Sequence, residues 1–115
     1  MQNNRHVGNK GEATASNYLK DLGYEFVESN FETPYGEIDL IMLKGSDLYF
    51  FEVKFRQNNE FGFGDDAINP KKIMRIRKSI EVWISLNQHK YSYKNIYLDG
   101  IVIDSDGKIN RYEIL

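Results

Sequence analysis

Two acidic side chains and one amine lie close together on a predicted β-hairpin. Segments 37–43 and 48–56 alternate between their two faces with a turn between them, and this pattern predicts two antiparallel strands. Asp39 lies on the first strand, and Glu52 and Lys54 share one face of the second. A suitable register brings all three into one pocket. Carboxylate oxygens suit Mg²⁺ or Mn²⁺, and a nearby lysine can orient a water molecule on such an ion or help to deprotonate it.

A third carboxylate, that of Glu12, lies on a predicted helix. Its position falls on the inward stripe of segment 11–22, so a charged residue occupies a position that periodicity assigns to apolar ones. If Asp39 and Glu52 were both ionised about 4 Å apart, their repulsion would be on the order of 4 kcal/mol at an effective dielectric of 20. One lysine offsets only part of this. Three carboxylates with one amine should therefore bind a dication or hold a proton, and a dication is the simpler explanation.

The remaining elements follow from the same periodicities. Helices are predicted at 11–22 and 70–86, strands at 24–27, 37–43, 48–56, 95–103 and 108–114, a turn at 30–35 and a loop at 57–66. The order of one helix, three strands, one helix and two strands predicts an α/β or α+β sandwich with mixed strand pairing.

The second predicted helix is basic on its outer side. Five cations fall within eight residues: Lys71, Lys72, Arg75, Arg77 and Lys78. A solvated helix face is the more frequent explanation of such a run. Because this run lies beside the candidate metal site, we favour contacts with a phosphate backbone from Lys71, Lys72, Arg75 and Lys78, with Arg56 and Lys10 as additional partners.

Composition narrows the class of protein. The chain has 115 residues and a mass of 13.5 kDa, which fits one domain, 1–115. Fifteen basic and 17 acidic residues give a net charge of -2, so a nucleic-acid site must be a local patch. The absence of cysteine excludes disulfides, a thiol nucleophile and Cys-ligated zinc. The apolar segments are too short to cross a membrane, and we expect a soluble, cytoplasmic protein.

Three segments carry a resemblance to a known family. They are Gly8-Asn9-Lys10-Gly11-Glu12-Ala13, Gly36-Glu37-Ile38-Asp39-Leu40-Ile41 and Phe51-Glu52-Val53-Lys54. With these motifs the chain resembles the YraN family of small bacterial proteins, relatives of Holliday junction resolvases within the PD-(D/E)XK nuclease superfamily. The resemblance spans nearly the whole chain and includes Asn30. Ile38 stands where the superfamily signature has a proline.

The resemblance implies a fold, a site and a substrate. The implied fold is an α/β, restriction-endonuclease-like, three-layer core with a mixed β-sheet flanked by helices. Asp39 and Glu52 would ligate Mg²⁺ or Mn²⁺ together with the Val53 carbonyl, Lys54 would position the attacking water, and Glu12 would match the helical acidic residue of the resolvase-like branch. The implied activity is endonucleolytic hydrolysis of structured or branched DNA by a Mg-dependent deoxyribonuclease. Analogy with the resolvases also implies a homodimer.

Simpler explanations stay open for several of these residues. Glu52 and Lys54 could form an ordinary charged surface on a hairpin. Glu12 could stabilise a helix dipole by roughly 0.3–1 kcal/mol. Glu37 could be a further ligand, but turn and strand entry also explain it, and we leave it out of the predicted catalytic set. The alternative function is a non-catalytic nucleic-acid-binding or interaction module that retains a nuclease-like fold.

Overall fold

The computed structural model describes the backbone of residues 2–56 and 69–115 and the side chains of residues 11–56 and 69–115. Two helices and five strands occur in these ranges. In chain order they are α1 (Gln2–Asp21), β1 (Glu25–Thr33), β2 (Gly36–Lys44), β3 (Asp47–Arg56), α2 (Pro70–Leu86), β4 (Asn95–Asp104) and β5 (Ile109–Glu113).

The five strands form one mixed sheet in the order β1-β2-β3-β4-β5. The pairs β1–β2, β2–β3 and β4–β5 are antiparallel, whereas β3 and β4 are parallel. Parallel neighbours need a crossover connection, and α2 lies within the segment that joins β3 to β4. The mixed pairing predicted from the order of elements is therefore confirmed.

The helices cover opposite faces of the sheet. On β2, Leu40 and Met42 pack in the cluster that contains Leu19 of α1, whereas Ile41 packs in the cluster that contains Trp83 of α2. Successive residues of a strand point to opposite faces, so the two clusters lie on the two sides of the sheet. The three-layer α/β core is thus confirmed. The first cluster comprises Ala15, Leu19, Tyr24, Leu40, Met42, Phe51, Ile101 and Ile103, and the second Ile38, Ile41, Leu48, Phe50, Ile76, Ile80, Trp83 and Leu98.

Two element boundaries differ from the sequence prediction. Helix α1 begins at Gln2 rather than at residue 11. The sequence prediction was too short because the first half of the helix is polar and has no apolar stripe. Strand β1 extends to Thr33, and the predicted turn at 30–35 shortens to Pro34 and Tyr35. Segment 28–33 is mostly polar and resembles a turn by composition, yet it pairs with β2 as part of an edge strand. The predicted loop at 57–66 lies outside the described residues.

Candidate active site

Strands β2 and β3 part at one end of the sheet, and a carboxylate lies at the point where they part. Their pairing runs from Lys44 and Asp47 at the hairpin turn to Leu40 and Phe51. One residue further along β2, Asp39 Oδ2 accepts a 2.7 Å hydrogen bond from the backbone N–H of Val53. The carboxylate thus replaces a backbone acceptor of the ladder, and the sheet itself holds Asp39 in position.

Three carboxylates meet at this end of the sheet. One oxygen from each of Glu12, Glu37 and Asp39 lies within 4.8 Å of the other two. Glu12 comes from α1, whereas Glu37 and Asp39 lie two residues apart near the start of β2. The structure brings Glu12 and Asp39 together and adds Glu37, which the sequence prediction left out.

Burial and mutual repulsion raise the pKa of Asp39 and of Glu12 and so favour their protonated forms. Burial raises the pKa of Asp39 to about 8; the Val53 N–H opposes this shift, and the charge of Glu52 adds to it. Burial also raises the pKa of Glu12 to about 7, and the charge of Glu37 contributes in the same direction. Both shifts follow from the cost of placing negative charges together away from water. A divalent cation would remove that cost and displace the protons.

One oxygen of Glu12 is a candidate ligand for a metal ion. Glu12 is only 8% exposed, and its Oε1 atom has no hydrogen-bond partner within the described ranges. A buried acceptor without a partner costs about 1–3 kcal/mol. The donor set consists of carboxylate oxygens, which are the ligands that Mg²⁺ and Mn²⁺ prefer. Glu12, Glu37 and Asp39 could therefore hold such an ion.

Glu52 lies beside the cluster and faces the basic helix. Its charge acts on Asp39, as the raised pKa shows, and its Oε2 forms a 3.4 Å ion pair with Lys72 Nζ. The structure thus places Glu52 near Asp39, as a ligand role requires, and joins it to a lysine that was predicted to contact phosphate. Val53, whose carbonyl is a predicted ligand, lines the same cavity as Glu52.

A cavity of about 600 Å³ connects the carboxylates to α2. Its walls are the β1–β2 turn, the parting strands and the first turns of the helix. The acidic residues that line it are Glu37, Asp39 and Glu52, and the basic ones are Lys71, Lys72 and Arg75. Opposite charges therefore face a common space large enough for a small ligand.

The N-terminus of α2 adds positive potential to this cavity. Asn69 caps the helix by accepting a 2.8 Å hydrogen bond from the backbone N–H of Lys71, and Pro70 occupies the first turn. No acidic residue lies in that turn. Lysines at a helix N-terminus oppose the dipole and cost stability, so Lys71 and Lys72 are unfavourable for the helix alone. They are favourable for binding an anion.

A hydroxyl pair fixes the β1–β2 turn on the helix. Thr33 Oγ1 lies 2.7 Å from Oγ of Ser79, which is fully buried on α2. The same Thr33 oxygen accepts hydrogen bonds from the backbone N–H groups of Tyr35 and Gly36 at 3.0 and 3.2 Å. This arrangement positions Glu37 immediately after the turn. The sequence signals for it are the threonine that starts the turn and the two-residue spacing of Glu37 and Asp39.

The remaining predicted basic residues do not line this cavity, over the residues whose side chains the structure describes. Lys54 follows Glu52 by two on β3 but does not line the cavity. Lys78 Nζ lies 5.2 Å from the ring centroid of Tyr35, which does line it. The Arg56 guanidinium is engaged by Asp104, with contacts of 2.8 and 2.9 Å. The side chain of Lys10 lies outside the described residues. The phosphate contacts of Lys78, Arg56 and Lys10 and the water-positioning role of Lys54 stay predictions.

Neither helix, over the residues that the structure describes, has the length and apolar character needed to cross a bilayer.

Comparisons with known proteins identify relatives along nearly the whole chain. A family model described as "Uncharacterised protein family UPF0102" matches residues 11–111. A UPF0102 protein of Dictyoglomus thermophilum is 35% identical over 113 residues, covering 98% of this chain and 96% of its own length. A UPF0102 protein of Vibrio vulnificus is 38% identical over 105 residues, with coverages of 90% and 84%. A third, of Syntrophomonas wolfei, is 34% identical over 109 residues, with coverages of 94% and 95%.

The kinship with Holliday junction resolvases stays a prediction. The family itself is the one that the motifs around Glu12, Asp39 and Glu52 indicate. The chain belongs to the uncharacterised protein family UPF0102, the YraN family.

Proposed function

We propose that this protein is a metal-dependent endonuclease that hydrolyses phosphodiester bonds in structured or branched DNA. One observation carries the proposal: three carboxylates, those of Glu37, Asp39 and Glu52, share a single cavity with three basic side chains, and two of them cluster with the buried Glu12. The cavity thus offers one wall suited to a divalent cation and one suited to a phosphate backbone.

The two walls depend on each other. Without a cation, the carboxylates of Glu12, Glu37, Asp39 and Glu52 would repel a phosphodiester. A bound dication reverses the local charge, after which the basic side chains and the cation attract the same anion. Metal binding and nucleic-acid binding should therefore be coupled, and binding of a cleavable substrate should strengthen in Mg²⁺.

The side chains divide the work of hydrolysis among them. Asp39, Glu12, Glu37 and Glu52, with the Val53 carbonyl, would hold Mg²⁺ or Mn²⁺, which would supply Lewis-acid polarisation of the phosphate and a lower pKa for a bound water. Lys71, Lys72 and Arg75 would bind and orient the backbone. Lys54 would orient the water. In-line attack on phosphorus would release a 3′ hydroxyl and a 5′ phosphate.

The direct test is cleavage of labelled single-stranded, duplex, flap and four-way-junction DNA in Mg²⁺ and Mn²⁺. We expect wild-type protein to cleave at least one branched substrate and Glu52→Ala to leave it intact, because the substitution removes a carboxylate beside Asp39. Equal cleavage by both preparations would assign the activity to another site or protein. Binding without cleavage by either one would favour the non-catalytic module instead.

Two arginines on α2 allow a matched test of the nucleic-acid surface. Arg75 and Arg77 are both exposed, but Arg75 lines the cavity with Asp39, whereas Arg77 lies in another groove with Ile80. Arg75→Ala should weaken DNA binding and lower the slope of log affinity against log salt by about 1, because one phosphate contact is lost. Arg77→Ala should change neither.

Fluorescence anisotropy with a labelled oligonucleotide at several salt concentrations measures both quantities. The titrations use an Asp39→Asn background, so that the probe stays intact while the basic wall is retained. Equal losses in the two arginine variants would show that the helix attracts DNA only through its overall charge, and would remove this cavity from the binding surface.

A further inference from the structure

We propose that Asn30 is a positioning residue that holds one oxygen of Glu12 and so leaves the other oxygen for a metal ion. This inference rests on the proposed function, because it concerns the same carboxylate cluster. It adds a residue of β1 to a site otherwise built from α1, β2, β3 and α2.

The backbone of Asn30 is unusual for its place in the fold. Among the described residues it alone combines a side chain with a positive φ, 55°. It lies within β1, between the Ser29–Leu40 and Phe31–Ile38 pairs, and therefore beside Asp39 on β2. Left-handed backbone in a non-glycine residue costs of order 1 kcal/mol and persists where surrounding contacts enforce it.

The contact made by the side chain gives this conformation a role. The Asn30 amide donates a hydrogen bond to the Glu12 carboxylate. Since Glu12 Oε1 has no partner within the described ranges, the bond is to Oε2. Both residues also line a second cavity, of about 350 Å³, on the α1 side of the sheet. One oxygen of Glu12 is thus anchored from β1, while the buried Oε1 keeps its capacity to bind a cation.

This division follows a general feature of metal sites. Ligating carboxylates are usually oriented by hydrogen bonds from neighbours that do not touch the ion, and loss of such a neighbour typically costs 10- to 100-fold in affinity or activity. Asn30 supplies that bond to Glu12. Its neighbour across the strands, Asp39, has the Val53 N–H in the corresponding role.

If Asn30 only shaped the backbone, its replacement by glycine would leave metal affinity unchanged. If it positions Glu12, the same replacement should lower metal affinity. Glycine adopts positive φ without strain, so Asn30→Gly keeps the backbone conformation and removes only the amide. Relief of the strained backbone and loss of the hydrogen bond to Glu12 act in opposite directions on stability, so the Tm should stay close to that of wild type. Its affinity for metal should nevertheless fall.

The experiment is calorimetric titration of the full chain with MnCl₂ and with MgCl₂, in the absence of DNA. The proteins are wild type, Asn30→Gly, Glu12→Gln and the double variant, with Ser29→Gly as a control for glycine in the same strand. Asn30→Gly should bind Mn²⁺ roughly 10- to 100-fold more weakly than wild type. Ser29→Gly should bind it as wild type does.

The double variant tests whether Asn30 acts through Glu12. We expect Asn30→Gly to cause no further loss in the Glu12→Gln background, because interacting residues give non-additive effects. Wild-type affinity in Asn30→Gly, or a full additional loss in the double variant, would overturn the inference and leave the proposed function standing. If wild-type protein binds neither ion, the proposed function fails and the inference fails with it.

Discussion

Asp39→Asn is expected to reduce metal-dependent cleavage roughly a thousandfold or more. The asparagine keeps the size of the side chain and an oxygen that can accept the 2.7 Å hydrogen bond from the Val53 N–H, so the end of β2 should stay in place. It removes the negative charge at the centre of the carboxylate cluster. Loss of a metal ion's contribution of about 4 kcal/mol to transition-state stabilisation corresponds to three orders of magnitude in rate.

The measurement is the single-turnover cleavage rate of whichever DNA the wild-type protein cuts, with Mg²⁺ varied over a wide range. Glu25→Gln provides a matched control, because Glu25 is an exposed acid at the opposite end of the sheet, paired with Leu43. It should cleave at the wild-type rate. Retention of more than about a tenth of the wild-type rate by Asp39→Asn at saturating Mg²⁺ would exclude Asp39 as a principal metal ligand.

The helices and strands predicted from periodicity agree with the fold, because most of the apolar residues in these segments face the core. Alternation in the segments of β2 and β3 predicted the hairpin, and helical periodicity predicted α2, which buries Ile76, Ile80 and Trp83. A strand has only two faces, so a correct register also brings Glu52 to the side that faces the basic helix.

The rest of the site depends on features that no local pattern encodes. Glu37 joins the cluster because β2 continues past the point where it leaves β3 and because the preceding turn is tied to Ser79. Asn30 reaches Glu12 from a left-handed conformation within a strand. Both contacts connect residues far apart in sequence, and both involve a departure from regular strand geometry.

The sequence also does not show which basic side chains form ion pairs with partners elsewhere in the chain. Arg56 is predicted to contact phosphate, and in the structure it forms an ion pair with Asp104, its register partner on β4. Arg75 and Arg77 have equal charge but face different grooves. The sequence shows that this helix carries many positive charges, whereas the groove that each basic side chain faces depends on how the helix packs on the sheet.

The second large effect expected is on stability: metal-free protein should be less stable at pH 9 than at pH 6. In the folded state, burial raises the pKa of Asp39 from 3.8 to about 8 and that of Glu12 from 4.5 to about 7. The folded protein therefore binds these protons more tightly than the unfolded chain does. Their stabilisation is fully present below about pH 4 and is lost as the pH rises through 7 and 8.

Thermal unfolding in EDTA and in Mg²⁺ measures this effect and connects it to metal binding. We expect the Tm in EDTA to fall by at least about 5 °C from pH 6 to pH 9, since 1 kcal/mol shifts the Tm of a small domain by roughly 4–8 °C. Mg²⁺ should restore much of the loss at pH 9, where the carboxylates are ionised, and little at pH 6, where protons compete with it. Asp39→Asn should reduce both the fall of Tm with pH in EDTA and the recovery of Tm in Mg²⁺ at pH 9. Glu25→Gln should change neither. A Tm in EDTA that falls equally in wild type and Asp39→Asn would show that Asp39 does not contribute to the titration, whereas a larger fall in proteins with Asp39 shows that its buried charge opposes folding until a cation binds.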